Sequence, residues 1–119
     1  MRRRILSLSL VAAFLLTSVA AFADARKQAQ QEVQFGIEVA RKGLWKEALY
    51  RWEKAVDLDP QYAAAFNNLA IAYEHEGQFD KARQAYEKAL QLDPNNTYVR
   101  QNFEFFKEIN DRASRRNPK

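Results

Sequence analysis

The sequence contains no cysteine, and its 119 residues include only three glycines and three prolines. Without cysteine the chain has no disulfide framework, no thiolate nucleophile and no thiolate metal site, so packing alone must stabilise it. So few glycines and prolines provide too few turns for a β-sandwich or barrel. The hydrophobic and aromatic fractions, 47% and 13%, are too high for a disordered chain. One small helical domain is therefore expected.

Charge is absent from a long stretch near the N-terminus. Residues 2–4 are three arginines, and the stretch from Ile5 to Ala23 carries no charge. A basic head, an apolar middle and small residues at Ala21 and Ala23 form the layout of a secretory signal peptide, with cleavage expected after Ala23. The alternative is an uncleaved membrane anchor over residues 5–23, which would reach about 28 Å as a helix, just short of the roughly 30 Å hydrocarbon core.

The basic balance of the whole chain is largely confined to its ends. The net charge of +4 falls to about +1 once residues 1–23 are removed, because that segment holds three arginines and no acidic residue. A second basic cluster occupies residues 112–119, which we expect to be a disordered, solvated tail. Its charges are not interleaved with aromatic residues, so no nucleic-acid partner is expected.

An internal repeat appears when the sequence is aligned with itself so that Gly43 faces Gly77. In that register residues 53–60 face residues 87–94, with Glu-Lys-Ala opposite Glu-Lys-Ala and Leu-Asp-Pro opposite Leu-Asp-Pro. A fixed period of this size is typical of stacked repeats, in which each unit buries its apolar face against its neighbours.

Each unit is predicted to contain two helices. Apolar residues recur at spacings of three and four on both sides of Gly77, at Phe66, Leu69, Ala70 and Tyr73 and then at Phe79, Ala82, Tyr86 and Ala89. The pattern predicts five helices near residues 25–42, 45–58, 62–76, 79–92 and 96–111. Small residues should allow the helices of a unit to approach closely, at Ala48, Ala55, Ala82 and Ala89. Large aromatic residues should fill the space between units, at Trp45, Trp52, Phe79 and Tyr86.

These positions resemble the tetratricopeptide repeat, a helix-turn-helix unit of about 34 residues. Residues 63–96 carry all of the characteristic residues of that family, namely Phe66, Leu69, Ala70, Tyr73, Ala82, Tyr86, Ala89 and Pro94. Residues 29–62 match at Phe35, Gly36, Ala48, Trp52, Ala55 and Pro60. They depart from the pattern at Glu32 and Val39, which suits a first repeat with no neighbour on one side.

A third unit begins at Thr97 but is only half a repeat. Val99, Phe103 and Phe106 form one apolar stripe that can seal the second unit. The resemblance therefore implies an all-α fold, a short α-solenoid of two tetratricopeptide helix-turn-helix repeats and a C-terminal capping helix. We assign residues 24–111 to this domain, with repeats 29–62 and 63–96 and the capping helix 97–111. Because two units lie near the lower limit for stable stacking, self-association stays open.

The resemblance also implies a binding surface, because the first helices of successive tetratricopeptide units line a concave groove. Groove positions carried over from the family, together with Asn68, give the predicted partner-binding residues Val33, Ile37, Asn67, Asn68, Ile71, Glu74, Tyr98, Gln101 and Phe105. Some family members grip a C-terminal carboxylate in this groove, but only Asn68 matches that clamp here. An alternative is that part of the apolar line Ile37, Ile71 and Phe105 packs against neighbouring helices. Phe105 also lies beside Ile109 on a face of the capping helix that sealing does not require.

The composition gives little support to catalysis. After residue 23 the chain contains one histidine, one serine and one threonine: His75, Ser114 and Thr97. A nucleophile beside a base is hard to assemble from these residues. The residues Glu74-His75-Glu76 are adjacent on a helix and cannot converge on one metal ion. We therefore expect no enzyme activity, no cofactor and no metal.

The expected function is that of an exported, non-enzymatic module that binds a protein or peptide partner, in a periplasm of the bacterial type. The alternative is an assembly or scaffold subunit of a larger envelope complex, anchored in the inner membrane by residues 5–23 and facing the periplasm. A membrane association is expected only if that segment is uncleaved.

Overall fold

The computed structural model describes the backbone of residues 2–117 and the side chains of residues 13–117. Its five helices follow one another as α1 (Arg2–Arg41), α2 (Trp45–Leu58), α3 (Ala63–His75), α4 (Phe79–Leu92) and α5 (Thr97–Arg116). No strand occurs in the residues described. The all-α prediction is confirmed, and the bounds of α2, α3 and α4 agree with the predicted ones within one residue.

The first helix is longer than the sequence pattern predicts. It begins at Arg2 instead of near residue 25, because no glycine or proline occurs before Gly36 to interrupt it. Among the side chains that the structure describes, the first buried one is that of Ala29, and residues 13–24 are almost all exposed. The predicted signal peptide includes residue 1 and the side chains of residues 2–12, which lie outside the described part. Cleavage after Ala23 stays a prediction.

The last helix also extends beyond its predicted end. It continues to Arg116 instead of ending near residue 111, so the prediction of a disordered tail is wrong for residues 112–116. Arg112 donates to the carboxylate of Glu108, and the hydroxyl of Ser114 donates to the backbone oxygen of Asn110 at 3.0 Å. Bonds between residues four apart support the added turn. Residues 118–119 of the predicted tail lie outside the described residues.

The turns inside both repeats have the same geometry. Gly43 and Gly77 have φ angles of 77° and 71°, in the left-handed region that glycine adopts without steric cost. After Gly43, the backbone amide of Leu44 donates to the backbone oxygen of Val39 at 3.0 Å. After Gly77, the backbone amide of Gln78 donates to the backbone oxygen of Tyr73 at 2.8 Å. These bonds close the end of a helix and reverse the chain, so each repeat becomes a helical hairpin.

Small residues bring the two helices of each hairpin together, as predicted. Ala48 and Ala55 in α2, and their equivalents Ala82 and Ala89 in α4, have no solvent-exposed surface. The aromatic predictions are confirmed in part. Trp52 and Tyr86 are almost completely buried. Phe79, in contrast, is about half exposed, because it only borders Phe106 at the edge of the cap, with the ring centroids 6.5 Å apart.

The capping helix covers the second repeat through its predicted stripe. Val99, Phe103 and Phe106 are buried, and the last two lie against Tyr86, with ring centroids 5.4 and 5.7 Å apart. At the N-terminus of α5, the side chain of Asn96 accepts a hydrogen bond from the amide of Val99 at 3.1 Å. This N-cap fixes the point at which the capping helix begins. In the part of the chain that the structure describes, no helix has the length and apolar character that a membrane crossing requires.

Candidate partner-binding groove

An apolar cavity lies between the first helices of the two repeats. It has a volume of about 270 Å³ and is open to solvent. Its walls are formed by Ile37, Ala40, Arg41, Trp45, Trp52, Asn68 and Ile71. The structure therefore brings together three of the predicted partner-binding residues, one from α1 and two from α3. Ile37 and Ile71 are partly buried, which leaves apolar surface facing the cavity.

Four cavity residues were not among the predicted partner-binding ones, namely Ala40, Arg41, Trp45 and Trp52. Arg41 follows Ile37 by four residues, so it lies on the same face of α1 and brings a positive charge to the rim. Trp45 is the first residue of α2 and forms part of the wall. The helical spacing from Ile37 was a signal that could have identified Arg41. Trp45 lies in the groove because the turn at Gly43 brings the start of α2 beside α1. Helical spacing alone does not predict that position.

Trp45 is held in place by the end of the next helix, α3. Its ring stacks on His75 with the centroids 3.4 Å apart and the planes inclined by 8°. The histidine is exposed on its other side. His75 thus contributes to the contact between α2 and α3, and its neighbours in sequence take no part in that stacking. Within residues 13–117, no group of three acidic or histidine side chains could hold a metal ion.

Two predicted binding residues lie in the core instead of the groove. Val33 is 6% exposed, and its backbone oxygen accepts a hydrogen bond from Trp52 Nε1 at 3.1 Å. Asn67 is 3% exposed, and its Oδ1 accepts from Asn102 Nδ2 at 3.2 Å. The first contact joins α1 to α2, and the second joins α3 to α5. Both side chains are covered because close helix packing occupies their faces.

Glu74, a predicted polar contact, is engaged inside the protein. Its carboxylate accepts a hydrogen bond from the hydroxyl of Tyr86. Burial raises the pKa of Glu74 above its ordinary value, and the Tyr86 hydrogen bond only partly opposes that effect. Glu74 also borders a small cavity of about 70 Å³ with Phe79, Phe106 and Ile109. It therefore supports the contact between α3 and α4, next to the capping helix.

The three predicted residues of α5 are all exposed. Tyr98 and Phe105 have exposed fractions of 62% and 64%, and Gln101 is exposed as well. None of them borders the cavity that contains Ile37 and Ile71. The predicted apolar line from Ile37 to Phe105 is therefore divided into a cavity between α1 and α3 and a separate face on α5.

Asn68 has a defined orientation at the cavity. Its Nδ2 donates to the backbone oxygen of Ala64 at 2.9 Å, one turn earlier on α3. This bond holds the amide on the groove side of the helix, beside Ile71. Apolar walls with an amide and a guanidinium at the rim can accept an apolar side chain and orient the polar backbone next to it.

Charged contacts fix the position of α1 on the first repeat. Glu32 on α1 pairs with Lys54 at 2.7 Å and with Arg51 at 3.4 Å, both on α2. Burial disfavours ionisation of Glu32, but the hydrogen bonds and positive charges of Lys54 and Arg51 outweigh it and lower its pKa. Nearer the N-terminus, Arg26 pairs with Asp59 and lies over the ring of Tyr62. These contacts hold the α1 wall of the cavity against α2 and the turn that follows it.

Comparisons with known proteins agree with the repeat register. The family described as "Tetratricopeptide repeat" matches residues 63–96, and the one described as "TPR repeat" matches residues 39–77. The chain is also similar to the uncharacterized protein MJ0572 of Methanocaldococcus jannaschii. The two are 36% identical over 58 residues, which make up 49% of this chain and 67% of that protein.

The first of these matches coincides with α3, α4 and the turn that follows, and the second spans the hairpin from the end of α1 to the turn after α3. Members of this family are generally non-catalytic modules that bind protein partners. With five helices in two hairpins and a cap, this chain belongs to the tetratricopeptide repeat family.

Proposed function

We propose that the protein is an exported interaction module that binds a segment of a partner protein in the cavity between α1 and α3. The observation that carries this proposal is the solvent-open cavity of about 270 Å³ with Ile37 and Ile71 on its two walls. Three residues predicted to bind the partner have a structural role in this proposal. Val33, Asn67 and Glu74 form hydrogen bonds that join the helices behind the groove.

The size of the cavity favours a peptide segment over a small molecule. A volume of about 270 Å³ is slightly below the range of about 300–1,000 Å³ typical of small-molecule pockets. It suits one or two apolar side chains of an extended segment. Burial of each contributes about 1.5–3 kcal/mol, whereas association costs at least about 4 kcal/mol. We therefore expect modest affinity, with Asn68 and Arg41 supplying the selectivity.

A peptide library displayed on phage tests the groove directly. The full chain is panned for binders, and the enriched peptides are measured against Ile71→Glu and Tyr50→Glu. Tyr50 is 55% exposed on α2 and does not line the cavity, so it is a matched control for an added charge. Apolar peptides that bind wild type and Tyr50→Glu but lose at least tenfold affinity for Ile71→Glu support the groove. Equal binding to both variants, with native circular dichroism, contradicts it.

The proposal of export rests on residues 1–23. A basic head, an uncharged middle and the Ala-Phe-Ala sequence before Asp24 have the order of a cleaved signal peptide. N-terminal sequencing of the chain recovered from the periplasm of a bacterial host tests it. A terminus at Asp24 supports export with cleavage, and retention of the complete chain in the cytoplasm contradicts it.

A specific observation favours the anchored alternative. Five large apolar side chains of α1 are 59–77% exposed, namely Phe14, Leu15, Leu16, Val19 and Phe22. Such a surface favours contact with lipid or with another protein. In this second proposal the uncleaved segment of residues 5–23 holds a scaffold subunit at the inner membrane, with the repeats facing the periplasm. Recovery of an intact N-terminus in the membrane fraction, resistant to a carbonate wash, would favour the anchor over the soluble module.

A further inference from the structure

A second apolar cavity lies between α3 and α4, the two helices of the second repeat. It has a volume of about 280 Å³, is open to solvent and shares no residue with the groove cavity. Three residues of each helix form its walls, namely Phe66, Leu69, Tyr73, Lys81, Gln84 and Ala85. Covering apolar atoms that face an open cavity is favourable. We call this place the α3–α4 cavity.

The first repeat fills the equivalent place with one of its own side chains. In the repeat register Phe35 has the position of Leu69, and Arg51 has the position of Ala85. The guanidinium of Arg51 lies over the ring of Phe35, 4.3 Å from its centroid. Because Ala85 has no long side chain, the second repeat cannot fill its own cavity in this way. A side chain that fills it must come from elsewhere.

The charges around the two equivalent places differ in sign. In the first repeat, Arg51 pairs with Glu47 at 2.9 Å and with Glu32 at 3.4 Å. In the second repeat, Lys81 has the position of Glu47, and Phe66 has the position of Glu32. A cation in the α3–α4 cavity would meet a lysine and an aromatic ring in place of two carboxylates. The cavity therefore favours an apolar side chain with a negative charge beside it.

Lys81 is available to receive that charge. Its side chain is exposed, and it forms no ion pair with the other side chains of residues 13–117. The Nζ atom lies 5.6 Å from the centroid of the Tyr73 ring, at the wall of the cavity. The carboxylate of Glu53 accepts a hydrogen bond from the Tyr73 hydroxyl at 3.2 Å but does not line the cavity. An ammonium beside an apolar cavity can orient a carboxylate while the cavity takes the neighbouring apolar group.

We propose that the α3–α4 cavity is a second binding site, which takes an apolar side chain of a protein partner whose neighbouring aspartate or glutamate pairs with Lys81. The partner side chain covers Leu69 and Ala85 as Arg51 covers Phe35 in the first repeat. One side chain of the chain itself covers the equivalent place there, which favours a protein side chain over a larger ligand. The site is independent of the groove, because the two cavities have no residue in common.

Charge reversal at Lys81 tests the site. Peptides enriched from a random heptapeptide library on the full chain are measured against wild type, Lys81→Glu and Lys27→Glu. Lys27 is exposed on α1 and does not line the cavity, so it is a control for the same change of charge. One class of peptides should contain an apolar residue within two positions of an acidic one. These peptides should lose at least tenfold affinity for Lys81→Glu and keep it for Lys27→Glu.

Two further changes test the orientation and the cavity itself. Replacing the acidic residue of such a peptide with lysine should restore its binding to Lys81→Glu, because opposite charges meet again. Ala85→Arg copies the first repeat and should remove binding of the same peptides by filling the cavity. Ala85→Met fills less of it and should weaken binding several-fold if Ala85→Arg disturbs the circular dichroism spectrum.

The outcomes separate this site from the groove. A library that yields no peptide sensitive to Lys81→Glu overturns the proposal, even if other peptides lose affinity for Ile71→Glu and support the groove. Binding that survives both Lys81→Glu and Ala85→Met overturns it as well. Sensitive peptides that contain no acidic residue, or that lysine fails to rescue on Lys81→Glu, overturn the assigned role of Lys81.

Discussion

The two repeats place a large aromatic residue at the same position but support it in different ways. In the first repeat Trp52 packs against Gly36; in the second, Tyr86 occupies the position of Trp52 and Ala70 that of Gly36. A Cβ atom added to Gly36 would overlap the indole ring of Trp52. The larger ring therefore requires the smaller neighbour.

The polar atoms of the two rings are also satisfied differently. Trp52 donates to the backbone oxygen of Val33, whereas Tyr86 donates to the carboxylate of Glu74. A backbone acceptor has no charge to titrate, but a half-buried carboxylate does. The comparison teaches that the ring at one repeat position can be anchored to an uncharged backbone acceptor in one unit and to an ionisable carboxylate in the next.

The largest effect should come from removal of either ring. Trp52→Ala and Tyr86→Ala should each lower the free energy of unfolding by about 3–5 kcal/mol, because each leaves a cavity in the core. Tyr86 also contacts Phe103 and Phe106 on α5. Hydrogen exchange of the two variants is compared at denaturant concentrations equally far below their unfolding midpoints. The amides of α5 should lose protection in Tyr86→Ala and keep it in Trp52→Ala. Equal loss in both variants would contradict the separate roles of the two rings.

The next effect concerns the match in size between residue 36 and the ring of Trp52. Gly36→Ala should lower stability by about 1–3 kcal/mol because the added methyl group overpacks the Trp52 site. Helix propensity alone predicts the opposite sign, a gain of about 0.5–1 kcal/mol. Urea unfolding distinguishes the two. The control is Gly36→Ala combined with Trp52→Tyr, which copies the second repeat and should cost less than the separate changes added together.

The hydroxyl of Tyr86 should have a smaller effect. Tyr86→Phe removes the donor to Glu74 and keeps the ring, so we expect a loss of about 1.5 kcal/mol at neutral pH, the lower end of the range for hydrogen bonds to charged groups. Tyr73→Phe is a matched control, because Tyr73 donates to the exposed Glu53 at 3.2 Å, where water can replace it. Equal losses in the two variants would show that burial of Glu74 adds nothing to the bond.

Much of the fold could be predicted because the repeat register duplicates the residues that pack and turn. Gly43 and Gly77 mark the turns and the alanines mark close contacts, so the predicted bounds of α2, α3 and α4 were accurate. The repeat register stops at α5, and the predicted C-terminal end of that helix, near residue 111, was wrong. Phe79 was misjudged for the same reason, since no third complete hairpin packs beyond it in the described residues.

The candidate site was less predictable than the fold. Groove positions were carried over from the family pattern, which gives the face of a helix but not how deeply each side chain is covered. Val33 and Asn67 are buried by contacts with Trp52 and Asn102 that join residues 19 and 35 positions apart. Such contacts depend on the packing of particular side chains. The cavity around Ile37 and Ile71 followed from the pattern because both lie on the facing sides of successive first helices.

The smallest predicted effect is a difference in pH dependence between the two repeats. The pKa of Glu74 is raised by burial, so its folded form binds a proton more readily than the unfolded chain. The contribution of this group to stability is present at low pH and is lost as pH rises through the raised pKa. In the first repeat, contacts with Lys54 and Arg51 lower the pKa of Glu32, although burial alone would raise it. Its contribution has the opposite sign, since it is lost as pH falls.

Urea unfolding of Glu74→Gln and Glu32→Gln between pH 4 and pH 7 measures this difference. Because glutamine does not titrate, Glu74→Gln should become more stable relative to wild type as pH rises. Glu32→Gln should become less stable relative to wild type over the same range. Both changes should be smaller than the loss caused by Tyr86→Phe, because each carboxylate keeps some contact with solvent. If both variants shift in the same direction, the contrast between a carboxylate dominated by burial in the second repeat and one dominated by ion pairs in the first is wrong.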